Sequence, residues 1–421
     1  MVELIWDNKD KMLEEVNSDD FLKTDKYFEY DKDESKNFNT TENLYIEGDN
    51  LDALKLLKKN YNNKIKMIYI DPPYNTERKF IYNDTFRNKR KKECRHSGWI
   101  NMMYPRLKLA RDLLRDDGVI FISIDDNEVD NLKKVCNEIF GENNYLNQIV
   151  WQRNSSGKTV SKNLIVNIEY MLIYSKSYNY NFNPIYKPLA EATVKMYSKD
   201  DNDGRGKYRL YPLQKTSSPG PETTYDYVDN NGKVWKCPAK GWRMNKHKLK
   251  LLENDGRLCL ENDSLSEKAY WNERASHGKL ADTLWSDMPE NNVGTSEVSS
   301  LFDKVPVFNN PKPTQYLMRL LKMQTQKNNN DIILDFFSGS SSTAHAVMQI
   351  NSEDGGNRKF IMVQLPEETD EKSEARKAGY ENICEIGKER IRRAGDKIVE
   401  ENKDKEEIEN LDIGFKVIKI K

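Results

Sequence analysis

The sequence predicts an α/β fold: a parallel sheet covered by helices and interrupted by a loop-rich module. Three observations carry that expectation. Short, largely apolar runs such as Lys66–Ile70 and Gly118–Ile124 are each followed by helical periodicity, the alternation of buried parallel sheets. From about 180 the alternation fades, and Asn, Tyr, Pro, Gly and Ser dominate. It resumes after Pro311-Lys312-Pro313.

Taken in order, Leu44-Tyr45-Ile46 reads as a strand, Gly48-Asp49-Asn50 as a turn, and Leu51, Leu54, Leu56 and Leu57 as the apolar stripe of a helix. The strand Lys66–Ile70 stops at Asp71-Pro72-Pro73, where two prolines end the ladder and stiffen the exit. Residues 100–115 are expected to be helical, 118–124 a buried strand, and about 127–139 a helix. Ser217-Ser218-Pro219-Gly220-Pro221 and Asp229-Asn230-Asn231-Gly232 are turns of the loop-rich region. A helix at 314–324, a strand at Ile332–Asp335, a Gly/Ser turn, a helix through Ala344–Val347 and a strand Phe360–Leu365 follow. The expected division is an N-terminal segment 1–43, a first α/β half 44–179, the module 180–300, a second α/β half 301–369, and a charged helical tail 370–421.

The 421 residues suffice for two to three domains. A formal charge of −1 looks unfavourable for a nucleic-acid partner until it is divided by segment. Residues 151–250 hold 18 Lys/Arg against 8 Asp/Glu, a local net of +10, with 14 aromatic residues interleaved. Residues 366–410 hold 10 Lys/Arg against 15 Asp/Glu, a local net of −5. A second basic run, Arg87, Lys89, Arg90, Lys91, Lys92 and Arg95, follows the proline turn, and both runs suit phosphate contacts. The five cysteines lack C-x-x-C spacing and the four histidines are scattered, so neither disulfides nor a metal site is expected. The acidic start at Met1–Val16 is unlike a signal peptide, and no apolar run is long enough to span a bilayer. A soluble cytoplasmic protein is expected.

Two constellations carry chemistry. Asp71-Pro72-Pro73-Tyr74-Asn75-Thr76 stands at the carboxyl end of a strand, where open α/β sheets place ligands. There Asp71 and the Pro72 carbonyl can accept both N–H bonds of an exocyclic amine, and Tyr74 offers a face for a flat ring. Asp335-Phe336-Phe337-Ser338-Gly339-Ser340-Ser341-Ser342-Thr343 also joins a strand to a helix, and its small residues let backbone N–H groups approach a nucleotide-like cofactor. Its spacing is not G-x-G-x-x-G, because Ser341 stands where a second glycine would. Gly157-Lys158-Thr159 is a decoy: Gln152, not glycine, stands five residues before it, so no phosphate-binding P-loop is expected there.

Together these residues resemble the β-arranged amino-methyltransferases of DNA, in particular the modification (Mod) subunits of type III restriction-modification systems. The resemblance covers about Leu44 to Lys421. Asp71-Pro72-Pro73-Tyr74 is similar to motif IV, whose leading aspartate goes with adenine N6. Trp99 through Met103–Leu107 to Ile122–Asp126 resembles the motifs that follow. Phe308 through Lys312-Pro313-Thr314 is similar to motif X, and Asp335 through Thr343 to motif I. Asp354–Arg358 and Glu385–Arg393 fit the type III branch.

The resemblance implies a permuted Rossmann-like fold that uses S-adenosyl-L-methionine, with a target-recognition domain between the catalytic and cofactor halves. It places Asp71, Pro72, Pro73 and Tyr74 in catalysis. Asp335, Phe337, Gly339, Ser341, Asp49 and Lys312 would bind the cofactor, with Gln364 where the family usually has an acidic ribose contact and Glu367 three residues on. Trp242, Arg243 and Lys246 are candidate base readers. Duplex DNA is the implied partner, with a restriction (Res) nuclease/helicase subunit and a second copy of the chain as further candidates and no membrane. The expected activity is site-specific methylation of adenine N6 by base flipping. The alternatives are a catalytically impaired specificity subunit serving a nuclease, and methylation of a protein or RNA amine. Mod subunits generally continue past the equivalent of Gly414–Ile418, which leaves a truncated product, a solitary methyltransferase and one piece of a split subunit open.

Overall fold

The structure, a computed structural model, describes residues 4–76, 94–155, 164–261, 264–274 and 278–421. Of the basic run only Arg95 lies among the described residues, and Gly157-Lys158-Thr159 lies outside them. The chain divides into two compact units, Met1–Asn183 with Asp282–Lys421, and Pro184–Ala281.

The larger unit is built on a ten-stranded sheet. In chain order its strands are β1 (Phe28–Lys36), β2 (Leu44–Glu47), β3 (Ile65–Ile70), β4 (Leu114–Ile124), β5 (Tyr145–Gln152), β6 (Ile168–Ser175), β7 (Leu284–Trp285), β8 (Ile332–Asp335), β9 (Lys359–Gln364) and β10 (Phe415–Ile420). In space the order is β1-β10-β2-β9-β8-β3-β4-β6-β5-β7. The run from β10 to β4 is parallel throughout, and β1 and β6 flank it antiparallel. Both faces are covered. On one lie α1 (Lys9–Asn17), α2 (Asn50–Tyr61), α3 (Arg95–Leu113) and α4 (Val129–Phe140); on the other lie α5 (Asn291–Leu301), α6 (Thr314–Gln324), α7 (Ser342–Asp354) and α8 (Ile383–Glu401). Side chains alternate across a strand, so β3 sends Ile68 and Ile70 into the first layer and Met67 and Tyr69 into the second. That is why its sequence reads as continuously apolar.

Topology places a crevice between β3 and β8. The chain leaves β3 through α3 on one face toward β4, and leaves β8 through α7 on the opposite face toward β9. The strand order diverges at this point, and the carboxyl ends of two neighbouring strands lie beside a gap, the position where doubly wound sheets bind ligands.

Several expectations shift. The helix expected over 100–115 runs from Arg95 to Leu113, and residues 114–115 begin β4, where Leu114 pairs with Ile65. The hairpin β5–β6 extends the sheet beyond the elements read from the sequence. The tail is helical in α8 but ends as β10, inserted between β1 and β2, because Phe415 and Val417 reach one core while Ile418 reaches the other. Residues 282–300, expected in the loop-rich module, belong to the larger unit as β7 and most of α5. All five cysteines are free thiols. Among the described residues no helix is long and apolar enough to cross a membrane.

The unit Pro184–Ala281 holds a three-stranded antiparallel sheet of Leu258–Glu261, Ser264–Tyr270 and Tyr208–Pro212, with the helix Lys246–Asn254. Its core is Leu213, Tyr227, Trp235, Trp242, Leu249, Leu258 and Leu265. Trp242, expected among the base readers, is therefore a core residue, and its indole donates to the Tyr225 carbonyl at 2.8 Å. Arg243 and Lys246 are exposed.

If β10 is integral to the sheet, emptying its largest buried position has a core-sized effect. Phe415→Ala should lower the unfolding free energy by roughly 3–5 kcal/mol in urea titrations. Lys421→Ala, at an exposed position, should change it by less than about 0.5 kcal/mol.

Candidate active site

β3 is buried along its whole length and delivers Asp71 to the rim of the crevice. The turn after it is clamped. The Trp99 indole donates to the Pro73 carbonyl at 2.7 Å, and Arg95 donates to the Asn75 carbonyl at 3.4 Å. Asn75 adopts the left-handed region at φ 60° and donates its side-chain amide to Glu128 at 2.6 Å. Glu128, fully buried, also meets His96 at 2.7 Å and Asn131 at 2.7 Å. These contacts fix the turn on α3 and the start of α4. Among the described residues no donor approaches the Pro72 carbonyl.

Asp71 belongs to a partly buried charge cluster. Tyr74 donates its hydroxyl to Oδ1 at 2.6 Å, and Lys312 donates to Oδ2 at 2.7 Å. The Lys312 ammonium also lies 3.1 Å from the Tyr74 hydroxyl and 3.3 Å from Glu169 Oε2. Arg153 closes the set on Glu169 Oε1 at 2.9 Å. Burial works against the Lys312 cation, but Asp71 and Glu169 reverse that effect and leave its pKa above the ordinary lysine value. Burial, with Asp71 and Glu169 nearby, raises the Tyr74 phenol well above its usual range, so it remains a neutral donor. Two acids and two bases balance, which is the condition for keeping charge out of water.

The second turn leaves β8 at Asp335. Its carboxyl accepts from the Phe337 N–H at 3.1 Å and the Thr343 hydroxyl at 2.6 Å, and burial pushes its pKa up to about 7. Gly339 lies at φ 51°, and a Cβ there would stand 3.2 Å from the Phe308 ring. Its N–H donates to Gln364 Oε1 at 2.7 Å. Ser341, at φ 62°, turns the chain into α7. Beneath the turn, Arg390 is fully buried and donates to Ser340 at 2.9 Å and Ser342 at 2.6 Å, with burial lowering its pKa to about 10. Across the crevice, Asp49 caps α2 by accepting from the Leu51 N–H at 2.8 Å and is held by Arg106 at 3.1 Å. Both turns open on one pocket of about 300 Å³.

A family model described as DNA methylase (N6_N4_Mtase) matches residues 65–396. The chain belongs to that family. It is 36% identical to the type III restriction-modification enzyme StyLTI Mod subunit of Salmonella typhimurium, over 91% of this chain and 60% of that protein. It is 32% identical to the EcoP15I Mod subunit of Escherichia coli, over 92% of this chain and 66% of that one. It is also 32% identical to the type II methyltransferase M.KpnI of Klebsiella pneumoniae, over 88% of this chain and 92% of that one. The chain thus spans about 60–66% of the length of these two Mod subunits.

In this chain the pocket brings together Asp71 and Pro73 of the first turn with Asp335, Phe337 and Gly339 of the second, and with Asp49, Lys312 and Gln364. Pro72, Tyr74 and Ser341 do not line it. Lys312, expected on the cofactor, lines the pocket and directs its ammonium to the Asp71 cluster. The Gln364 carboxamide is engaged by the Gly339 N–H, while Glu367 lines the same pocket. The sequence did not single out Glu169, and Arg390 stood within Glu385–Arg393 with no role assigned to it. The available signal for Glu169 was a single acid inside the apolar run Ile168–Tyr174, and for Arg390 a run of charges at helical spacing.

The raised pKa of Asp335 sets a stability prediction. A carboxyl that holds its proton more tightly when folded contributes stability that is fully present below its unfolded pKa and is lost as pH rises through the folded value. Wild-type stability should therefore fall between about pH 4 and pH 7 by more than that of Asp335→Asn, with an upper bound of about 4 kcal/mol on the difference. Urea titrations across that window check it, and parallel curves would place the proton elsewhere.

Proposed function

We propose that the chain transfers a methyl group from S-adenosyl-L-methionine to N6 of adenine in duplex DNA, as the modification component of a restriction-modification system. The observation that carries this reading is one pocket shared by an Asp-Pro-Pro-Tyr turn and a Gly/Ser turn at the ends of adjacent parallel strands.

The residues fit the donor. Gly339 allows a close approach that a side chain would obstruct, Phe337 supplies an apolar wall, and Asp335, Asp49 and Gln364 offer polar contacts. These residues would hold S-adenosylmethionine, which when bound supplies an electrophilic methyl sulfonium. On the acceptor side, Asp71 and the Pro72 carbonyl accept the two N–H bonds of the adenine amine. That draws the nitrogen lone pair out of conjugation and directs it toward the pocket. Lys312 and Tyr74 each occupy a lone-pair site on Asp71, which fixes the carboxylate and leaves its other sites as acceptors. The rate gain then comes mainly from positioning. The Tyr74 ring stacks on the base, worth about 1–3 kcal/mol. Adenine N6 cannot be reached within a duplex, so the base is flipped out at a few kcal/mol of unstacking.

The division follows: a catalytic half around 44–179, a cofactor half around 301–369, and target recognition by the basic module, of which Pro184–Ala281 forms a compact unit. A Res-type nuclease subunit is the proposed partner, supported by similarity to proteins named as Mod subunits. A homodimer is a further proposal.

The test is incubation with labelled S-adenosylmethionine and mixed-sequence duplex DNA, followed by digestion to nucleosides. N6-methyladenosine is expected. Only N4-methylcytosine, or no product from folded, cofactor-binding protein, would overturn the reading. Asp71→Ala should lower transfer at least about a hundredfold while calorimetry shows cofactor binding retained. Tyr74→Phe should lose about tenfold, because its hydroxyl bridges two charged groups, and Tyr74→Ala about tenfold more as stacking is lost. Equal losses for Phe and Ala would contradict the stacking role.

A further inference from the structure

The unit Pro184–Ala281 contains five arginines, and their partners divide them. Arg205 is neutralised by Asp203 at 2.7 Å, Arg257 by Glu273 at 2.5 Å, and Arg274 by Glu267 at 2.6 Å. Among the described residues, Arg209 and Arg243 have no carboxylate within ion-pair distance. These two converge on one ring. The Arg243 guanidinium lies 4.5 Å from the Tyr211 centroid and that of Arg209 lies 5.2 Å from it.

The fold forces the convergence. Arg209 and Tyr211 are two residues apart on the edge strand Tyr208–Pro212, so they share a face. The Arg243 N–H donates to the Leu213 carbonyl at 2.7 Å, which lays Arg243 alongside the end of that strand. The acid that the ladder sets opposite Tyr211 is Glu267, and Arg274 takes it up. With Glu267 paired to Arg274, the charges of Arg209 and Arg243 are left without a carboxylate partner here. The Tyr211 phenol registers it: a hydrogen bond from Arg243, with the charge of Arg243 and then Arg209 and Arg274, lowers its pKa. Packing over the ring restricts each guanidinium; Arg243 Nε donates to the Gln214 carbonyl at 3.3 Å and Arg209 reaches Met196 Sδ at 3.5 Å, and the terminal N–H donors that remain can grip an anion with little further loss of freedom.

We propose that Arg209, Tyr211 and Arg243 form a clamp for the phosphates of duplex DNA, with Tyr211 as the platform that orients both guanidiniums. Planar N–H forks match phosphate oxygens bidentately. Phosphate contacts fix register without reading sequence. The clamp rests on the reading of this chain as a DNA methyltransferase and names the groups that grip the substrate.

The experiment uses the full chain and a fluorescent mixed-sequence duplex, with binding measured across a salt series. Arg209→Gln and Arg243→Gln should each reduce the slope of log affinity against log salt by roughly 0.9, and the double variant by about twice that. Arg257→Gln makes the same change in net charge at a neutralised arginine and should leave the slope near wild type. Arg209→Lys and Arg243→Lys keep the charge and should restore the slope, which also guards against a glutamine variant that fails to fold. The sites methylated in genomic DNA should be unchanged. Wild-type slopes in the glutamine variants overturn the clamp, as does altered site choice at an unchanged slope, which would assign these arginines to base edges. If the wild-type protein neither binds nor methylates DNA, the functional reading itself fails.

Discussion

The structure depends on a charge balance inside the larger unit. Asp71, Glu169, Lys312 and Arg153 lie within one connected cluster, and Lys312 and Glu169 are almost wholly removed from water, at 6% and 3% exposure. A buried ion without its partner costs several kcal/mol, so Lys312 and Glu169 require the acids and bases around them. The cluster draws together the exit of β3, the β5–β6 hairpin and the segment before α6. Asp71 and Lys312, 241 residues apart, become neighbours. A chain that folded without this pairing would leave Lys312 and Glu169 desolvated and uncompensated.

Topology brings the cofactor side to the same place. Because β3 and β8 are adjacent and parallel, their carboxyl ends open on one crevice, and Asp71 and Asp335 line one pocket. The helices that follow the two strands lie on opposite faces, so neither covers the gap. The order of the two turns in the sequence is then of no mechanical consequence. What matters is that a rigid, proline-stiffened turn and a small-residue turn face each other, each braced from behind: the first by Trp99, Arg95 and Glu128, the second by Arg390.

Much of this was legible in the sequence. Continuous apolar runs ending at Asp-Pro-Pro and Asp-Phe-Phe-Ser-Gly marked strand ends, because only buried parallel strands carry such runs and only a turn tolerates those residues. The bracing groups were not legible. Glu169 is one acid in a strand, and its partner Lys312 lies in a distant loop, so no local pattern links them. Arg390 looks like any charged position on a helix until its burial is known. Trp242 read as an interface aromatic but packs inside, since aromatic content does not distinguish a core from a binding face. β10 was obscured by lysines that interrupt its apolar alternation, and only pairing with β1 and β2 reveals it.

The Asp71–Lys312 pairing is measured most directly by a double-mutant cycle, with Asp71→Asn, Lys312→Met and the pair compared by urea unfolding. A cluster that holds the two halves of the site predicts a coupling above about 1.5 kcal/mol, with the double variant less destabilised than the singles sum to. Additivity within about 0.5 kcal/mol would contradict it.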